Sequence, residues 1–124
     1  MGMKVLIIDD DTFLANIYGR FLNENGCEVR VARSGEDGLR QMERETPDLI
    51  VLDVLLPEMD GFEVMEKVRC HPNLNSLPMI VLTNLGQRED VDRAMEYGAS
   101  AYLIKTHSAP LNLLRRVREV LCFV

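Results

Sequence analysis

The apolar positions of this 124-residue chain fall into short blocks of two kinds that alternate from one end to the other. "KVLII" (4–8), "LIVLD" (49–53) and "MIVLT" (79–83) carry unbroken aliphatic runs of strand length, as expected for strands covered on both faces. "CEVRVA" (27–32) alternates apolar with polar residues and predicts a strand nearer the sheet edge, and "AYLIK" (101–105) predicts a fifth. Between these runs the period lengthens. Leu14, Ile17, Tyr18, Phe21 and Leu22 recur at helical spacing and stop at Gly26. "SGED" (34–37) matches a capping box that opens a helix running to about Glu45, before Pro47. "LPEMDG" (56–61) is turn chemistry, with Asp60 placed to cap a helix carrying Phe62, Met65 and Val68. "HPNLNSLP" (71–78) reads as a loop, and a short polar helix then sets Val91, Ala94 and Met95 on one side before Gly98. Ser108 and Pro110 open a last helix whose stripe is Leu113, Leu114, Val117, Val120, Leu121 and Val124; Leu111 and Phe123 fall outside it.

Strands and helices alternating through short connections predict an α/β fold, a parallel sheet with helices on both faces. The length suits a single domain over residues 1–124, with no repeat, linker or low-complexity stretch. Charge narrows the function classes. At a formal −6 and a pI near 4.9 the chain has no electrostatic footprint for nucleic acid. No run approaches the roughly 18 apolar residues of a membrane span, and no signal peptide precedes the first strand. Three widely spaced cysteines, Cys27, Cys70 and Cys122, form no CxxC pair and suggest reduced, buried thiols in a cytoplasmic protein.

The ends of the strands carry chemistry that their apolar interiors do not require. Strand one runs into Asp9, Asp10 and Asp11, strand three ends at Asp53, strand four at Thr83 and strand five at Lys105. Open parallel sheets bind ligands beyond the carboxyl ends of their strands, where strand order reverses. In a sheet ordered 2-1-3-4-5, strands one and three are neighbours at that point, and Asp9, Asp10 and Asp53 converge. Clustered carboxylates repel one another unless a cation sits among them, and hard oxygen donors of this kind suit Mg²⁺. A carboxylate beside Mg²⁺ is equipped to attack a phosphorus centre, with Lys105 as a second cation and Thr83 as a hydroxyl donor. Taken singly each residue has a plainer role: a helix cap for the aspartates, a strand residue for Thr83, a solvated lysine for Lys105. The conjunction, in chain order, favours the phosphoryl site. His71 and His107 lie in loops, form no ligand pair, and are expected to face solvent.

"VLIIDDD", "LDVLLPEMDG", "PMIVLT" and "GASAYLIK" together resemble the receiver domain of bacterial two-component response regulators, and the resemblance spans essentially the whole chain. It implies a doubly wound, flavodoxin-like sheet of five parallel strands in the order 2-1-3-4-5 with five helices. It implies that Asp53 is the phosphoacceptor, taking a phosphoryl group from a phosphohistidine on a sensor histidine kinase or histidine phosphotransfer protein. It further implies Mg²⁺ on Asp10, Asp53 and the backbone carbonyl of Leu55, with Asp9 acting through water. Thr83 and Lys105 would hold phosphoryl oxygens, and Tyr102 would swing inward as Thr83 moves. The face built by the fourth helix, fifth strand and fifth helix would then address an output protein or fused effector domain, or a second copy in a homodimer.

Three departures from the family pattern stand out. Thr106 follows Lys105 where the family has proline, which predicts a looser turn around the lysine. Asn84 follows Thr83 where a smaller residue is usual, which predicts narrower access to Asp53. Leu55 and Leu85, two residues beyond Asp53 and Thr83, offer an attacking water no hydrogen bond, which predicts slow self-dephosphorylation. Other functions fit less well. A phosphatase or phosphotransferase of the haloacid dehalogenase type places a second Asp two residues after its nucleophile, where this chain has Leu55. A flavin protein on such a sheet places a phosphate-binding loop after strand one, where "DDDTF" repels phosphate. A degenerate binding module would have no need of all five site side chains. A signalling switch, rather than a turnover enzyme, is the expectation.

Overall fold

The computed structural model describes residues 2–121, so Cys122, the outer-face position Phe123 and the stripe position Val124 lie outside the described residues. The strands are β1 (Met3–Ile8), β2 (Cys27–Ala32), β3 (Leu49–Leu52), β4 (Met79–Thr83) and β5 (Ala101–Ile104). The helices are α1 (Thr12–Glu24), α2 (Gly35–Arg44), α3 (Gly61–Cys70), α4 (Arg88–Glu96) and α5 (Pro110–Leu121). All strand pairings are parallel, in the order β2-β1-β3-β4-β5. The sheet is the doubly wound one expected, with alternating strands and helices placing cover on both faces.

Strand alternation divides the aliphatic runs between two cores. Leu6, Ile8, Ile50, Leu52 and Val81 face one side, where Met42, Val64, Met65 and Val68 of α2 and α3 seal them. Val5, Ile7, Leu49, Val51, Ile80 and Leu82 face the other, under Tyr18 and Leu22 of α1 and Leu113, Leu114 and Val117 of α5. Double-sided burial is why β1, β3 and β4 read as unbroken hydrophobic runs.

Helix starts follow their caps. Asp11 accepts the Leu14 N–H at 3.2 Å, Ser34 accepts that of Asp37 at 3.0 Å, and Asp60 accepts that of Glu63 at 3.0 Å. The last acid of "DDD" is therefore a helix cap. Gly26, at φ 97°, turns the chain into β2.

Three expectations about burial need correction. Ile17 (43% exposed) and Met95 (46%) face solvent, because α1 docks through Ala15, Tyr18 and Leu22, and Ala94 is the buried residue of α4. Cys27 is buried as expected, but Cys70, the last residue of α3, is exposed; both are free thiols. α4 is instead held from α3. Arg93 lies over the Phe62 ring at 4.2 Å from its centroid. Arg69 donates to four backbone carbonyls: Tyr97 (2.7 Å), Leu77 (2.8 Å), Gly98 (3.1 Å) and Asn75 (3.2 Å). The opposite end of α4 begins at Gln87 without a side-chain cap. No helix among the described residues is long and apolar enough to cross a membrane.

Candidate functional site

Strand register builds the site. β1 and β3 pair from Val5↔Leu49 to Ile8↔Leu52, so the next residue of each strand, Asp9 and Asp53, leaves the sheet side by side. Their backbones stay in register: Asp53 N–H donates to the Ile8 carbonyl and Asp9 N–H to that of Ala32, each at 3.0 Å. On the other flank β4 and β5 pair as far as Thr83↔Ile104, which delivers Thr83 and Lys105 to the same edge. Lys105 does not continue the strand as the sequence pattern suggests. It opens a single 3₁₀ turn, Lys105–His107, which redirects its side chain toward the acids.

One carboxylate oxygen from each of Asp9, Asp10 and Asp53 lies within 4.8 Å of the others. Asp9 and Asp53 are buried and Asp10 is exposed. The Lys105 ammonium, its side chain 6% exposed, bonds Asp9 Oδ2 at 2.6 Å and Asp53 Oδ2 at 2.7 Å. The remaining oxygens accept backbone N–H groups, Asp9 Oδ1 from Asp11 and Asp53 Oδ1 from Leu55, both at 2.9 Å. Burial pushes the Asp9 carboxyl above the usual range, and the Asp53 charge adds to this; Lys105 and the Asp11 N–H pull the other way. For Lys105 burial opposes the charge, but Asp53 and Asp9 outweigh it and the ammonium is held above its ordinary value.

This donor set fits a divalent cation. The pocket already organises carboxylate oxygens around the Lys105 ammonium, and three carboxyl groups face one ammonium, so negative charge is in excess. A doubly charged ion offsets that excess, and the exposed Asp10 keeps the cluster open to one.

The rim is built by close approach. Gly61 begins α3 so near the chain leaving β3 that a Cβ would lie 2.4 Å from Val54 Cα and 2.6 Å from the Asp53 carbonyl oxygen. Its N–H donates to the Val54 carbonyl at 3.0 Å. Nothing in the hydrophobic pattern signals this close approach; the "DG" pair signals only a turn. Thr83 is fully buried, and its Oγ1 accepts the Leu85 N–H at 3.3 Å. Tyr102 is half-buried, its hydroxyl donating to the Leu85 carbonyl. Burial first, then the charges of Asp90 and Asp53, push that phenol up to about 12.

The residues expected to tune access do not all stand at the pocket. Leu55 is 50% exposed at the rim, whereas Leu85 packs its side chain against the core. Asn84 is exposed, and its Oδ1 accepts the Thr106 N–H at 3.1 Å. Tyr18 adds a contact that the sequence did not signal, donating its hydroxyl to the Ser108 carbonyl at 2.6 Å. The histidines stay outside the site. His71 is half-buried rather than exposed, 3.6 Å from Glu43, while His107 faces solvent.

Comparison with known proteins decides the family. The model of the response regulator receiver domain matches residues 5–118. The chain belongs to the response regulator receiver domain family. The receiver domain is 40% identical over 118 residues to the transcriptional regulatory protein AfsQ1 of Streptomyces coelicolor, covering 95% of this chain and 51% of that protein. It is 39% identical to a 14.6 kDa protein from Leptolyngbya boryana, covering 94% of this chain and 88% of the other. Among solved structures, the chemotaxis protein CheY4 of Vibrio cholerae superposes with a TM-score of 0.91 at 30% identity, covering 98% of this chain and all of that one. This chain thus spans about half the length of AfsQ1 and most of the length of the shorter relatives. Receiver domains are signalling switches of two-component phosphorelays that bind Mg²⁺ at an acidic pocket, and this chain carries an acidic cluster of Asp9, Asp10 and Asp53 at the matching edge of its sheet.

Proposed function

We propose that Asp53 is the phosphoacceptor of this receiver domain, taking a phosphoryl group from a phosphohistidine on a histidine kinase or phosphotransfer protein. One observation carries the reading: the Asp53 carboxylate sits between two other carboxylates and a buried ammonium, at the open edge of the sheet. As the bond from an Asp53 oxygen to phosphorus forms, the phosphorus–nitrogen bond breaks and the imidazole leaves with a solvent proton. Mg²⁺ held by Asp10, Asp53 and the Leu55 carbonyl, with Asp9 through water, would supply the positive charge that lets two anionic groups meet. Lys105 would follow the phosphoryl oxygens, leaving the carboxylate it now pairs with, and Thr83 would exchange the Leu85 N–H for one of them. Because Tyr102 is bonded to the Leu85 carbonyl, that exchange would reach the α4–β5–α5 face.

The whole of residues 1–124 serves as one such domain in the cytoplasm. An output protein, a fused effector domain of the kind that longer relatives have room for, or a second copy would read the α4–β5–α5 face. No nucleic acid or membrane contact is assigned to the domain itself. The half-exposed Leu55 gives an attacking water no partner, so the acyl phosphate would be long-lived, and Leu55→Asn is expected to hasten its loss several-fold. The central test is incubation with Mg²⁺ and a small phosphodonor, read by intact mass against Asp53→Asn. One phosphoryl mass on the wild type and none on the variant supports the assignment; label retained by the variant overturns it.

A further inference from the structure

We propose that Asn84 is a positioning residue for Lys105, acting through a latch on the Thr106 N–H. The inference rests on the reading of Lys105 as a phosphoryl-holding group. The β4–β5 ladder ends at Thr83↔Ile104. Beyond it the backbone carrying Lys105 receives no sheet hydrogen bond, although its ammonium must reach two carboxylates at 2.6 and 2.7 Å. The Asn84 side chain extends the association by one step, accepting the Thr106 N–H at 3.1 Å. Position 106 has this proton to give because it is threonine; a proline there has none. Farther along, the Tyr18 bond to the Ser108 carbonyl restrains the exit of the same turn. The latch stands as an alternative to two expectations drawn from the sequence: a loose turn after Lys105, and an Asn84 side chain that screens Asp53 rather than bonding the neighbouring backbone.

The chemistry of the latch explains its residue type. Aspartate would accept the N–H equally well but would add a charge beside a pocket that already carries three carboxylates. Alanine would leave the N–H to water. Since Asn84 adjoins Thr83 and Thr106 adjoins Lys105, the bond also ties the two phosphoryl-holding segments to each other, so that neither moves alone.

Two measurements on the full chain test this. The first is hydrogen exchange of the Thr106 amide, which is solvent-exposed apart from this bond. Asn84→Ala is expected to accelerate it about five-fold, the value of one ordinary hydrogen bond, and Asn84→Asp to restore protection. Unchanged exchange in Asn84→Ala overturns the latch. The second is the rate of Asp53 phosphorylation by a small phosphodonor with saturating Mg²⁺. Asn84→Ala is expected to slow it several-fold in the wild-type background and to add no slowing in Lys105→Met. A faster rate in Asn84→Ala would mean that the side chain restricts access, and equal slowing in both backgrounds would mean a role that does not pass through Lys105; either overturns the positioning role. A wild type that takes no phosphoryl group on Asp53 refutes the phosphoacceptor reading instead, and the exchange result then decides the latch on its own.

Discussion

Replacing Lys105 by methionine tests the electrostatics of the pocket directly. The ammonium is buried and bonds two carboxylates, and methionine keeps most of its length while removing the charge. Deleting one partner of a buried ion pair costs about 3–5 kcal/mol, because the charge left behind has no compensation. Here the Asp11 and Leu55 N–H groups go on serving the carboxylates, so the low end, about 3 kcal/mol at pH 8 in chelator, is the expectation. The sign of the pH dependence follows from Asp9. Its folded pKa is already raised by burial, so the native state favours the protonated form, and the group's contribution to stability is lost as pH rises through that folded value. Without Lys105 the pKa rises further. The deficit should therefore shrink on acidification, by at most about 1.4 kcal/mol per pH unit for one proton. Mg²⁺ should rescue the variant more than it stabilises the wild type, since no ammonium then competes for the Asp9 and Asp53 oxygens. At a hundred-fold excess over Kd the ion alone contributes about 2.7 kcal/mol. The chain has no tryptophan, so urea unfolding is followed by far-ultraviolet circular dichroism. A variant within 1 kcal/mol of wild type at pH 8 in chelator, or an equal Mg²⁺ gain in both proteins, refutes the account (roughly the resolution of the method).

Asp10 is the exposed member of the cluster and makes no bond to Lys105, so Asp10→Asn should stabilise the chelated protein by a few tenths to about 1 kcal/mol while removing its Mg²⁺-dependent stabilisation. Urea titrations with and without the ion read both; a destabilised variant contradicts the repulsion. Arg69→Ala breaks two part-buried charge-assisted bonds, to Tyr97 and Leu77, and two exposed ones, for an expected loss of about 3 kcal/mol; full recovery by Arg69→Lys would show that the planar fork is not what matters. Tyr102 should ionise with a midpoint of about 12, seen as a tyrosinate absorbance step absent from Tyr102→Phe. Stability owed to that phenol is intact below its ordinary value of 10.0 and disappears as pH rises toward 12; a midpoint at 10 would place the ring in water.

Element types were legible because double-sided burial writes an unbroken aliphatic run and a single docked helix face writes a longer period. The Ser34 and Asp60 caps and the Gly26 stop lay where side-chain chemistry demanded them. Strand order was not contained in periodicity; it came through the family resemblance, and with it the convergence of the acids. What escaped was set by tertiary approach. Met95 and Ile17 fit helical spacing, but spacing alone does not say how broad a stripe the sheet will cover. Lys105 reads as a strand residue until the ladder is seen to end at Ile104. Leu85 resembles a pocket residue by its offset from Thr83, yet the turn between them sends its side chain into the core. Asn84 and Thr106 each looked like a departure from a pattern, and only their proximity shows them as a pair.

The grip of Arg69 on both sides of Gly98 has a mechanical corollary. It fixes the far end of α4 to the end of α3, while the near end, starting at Gln87, lacks any side-chain cap. A rod clamped at one end and loose at the other tilts when pushed. Any displacement beginning at Thr83 would thus emerge as a rotation about a fixed fulcrum, largest at Arg88 and vanishing near Tyr97.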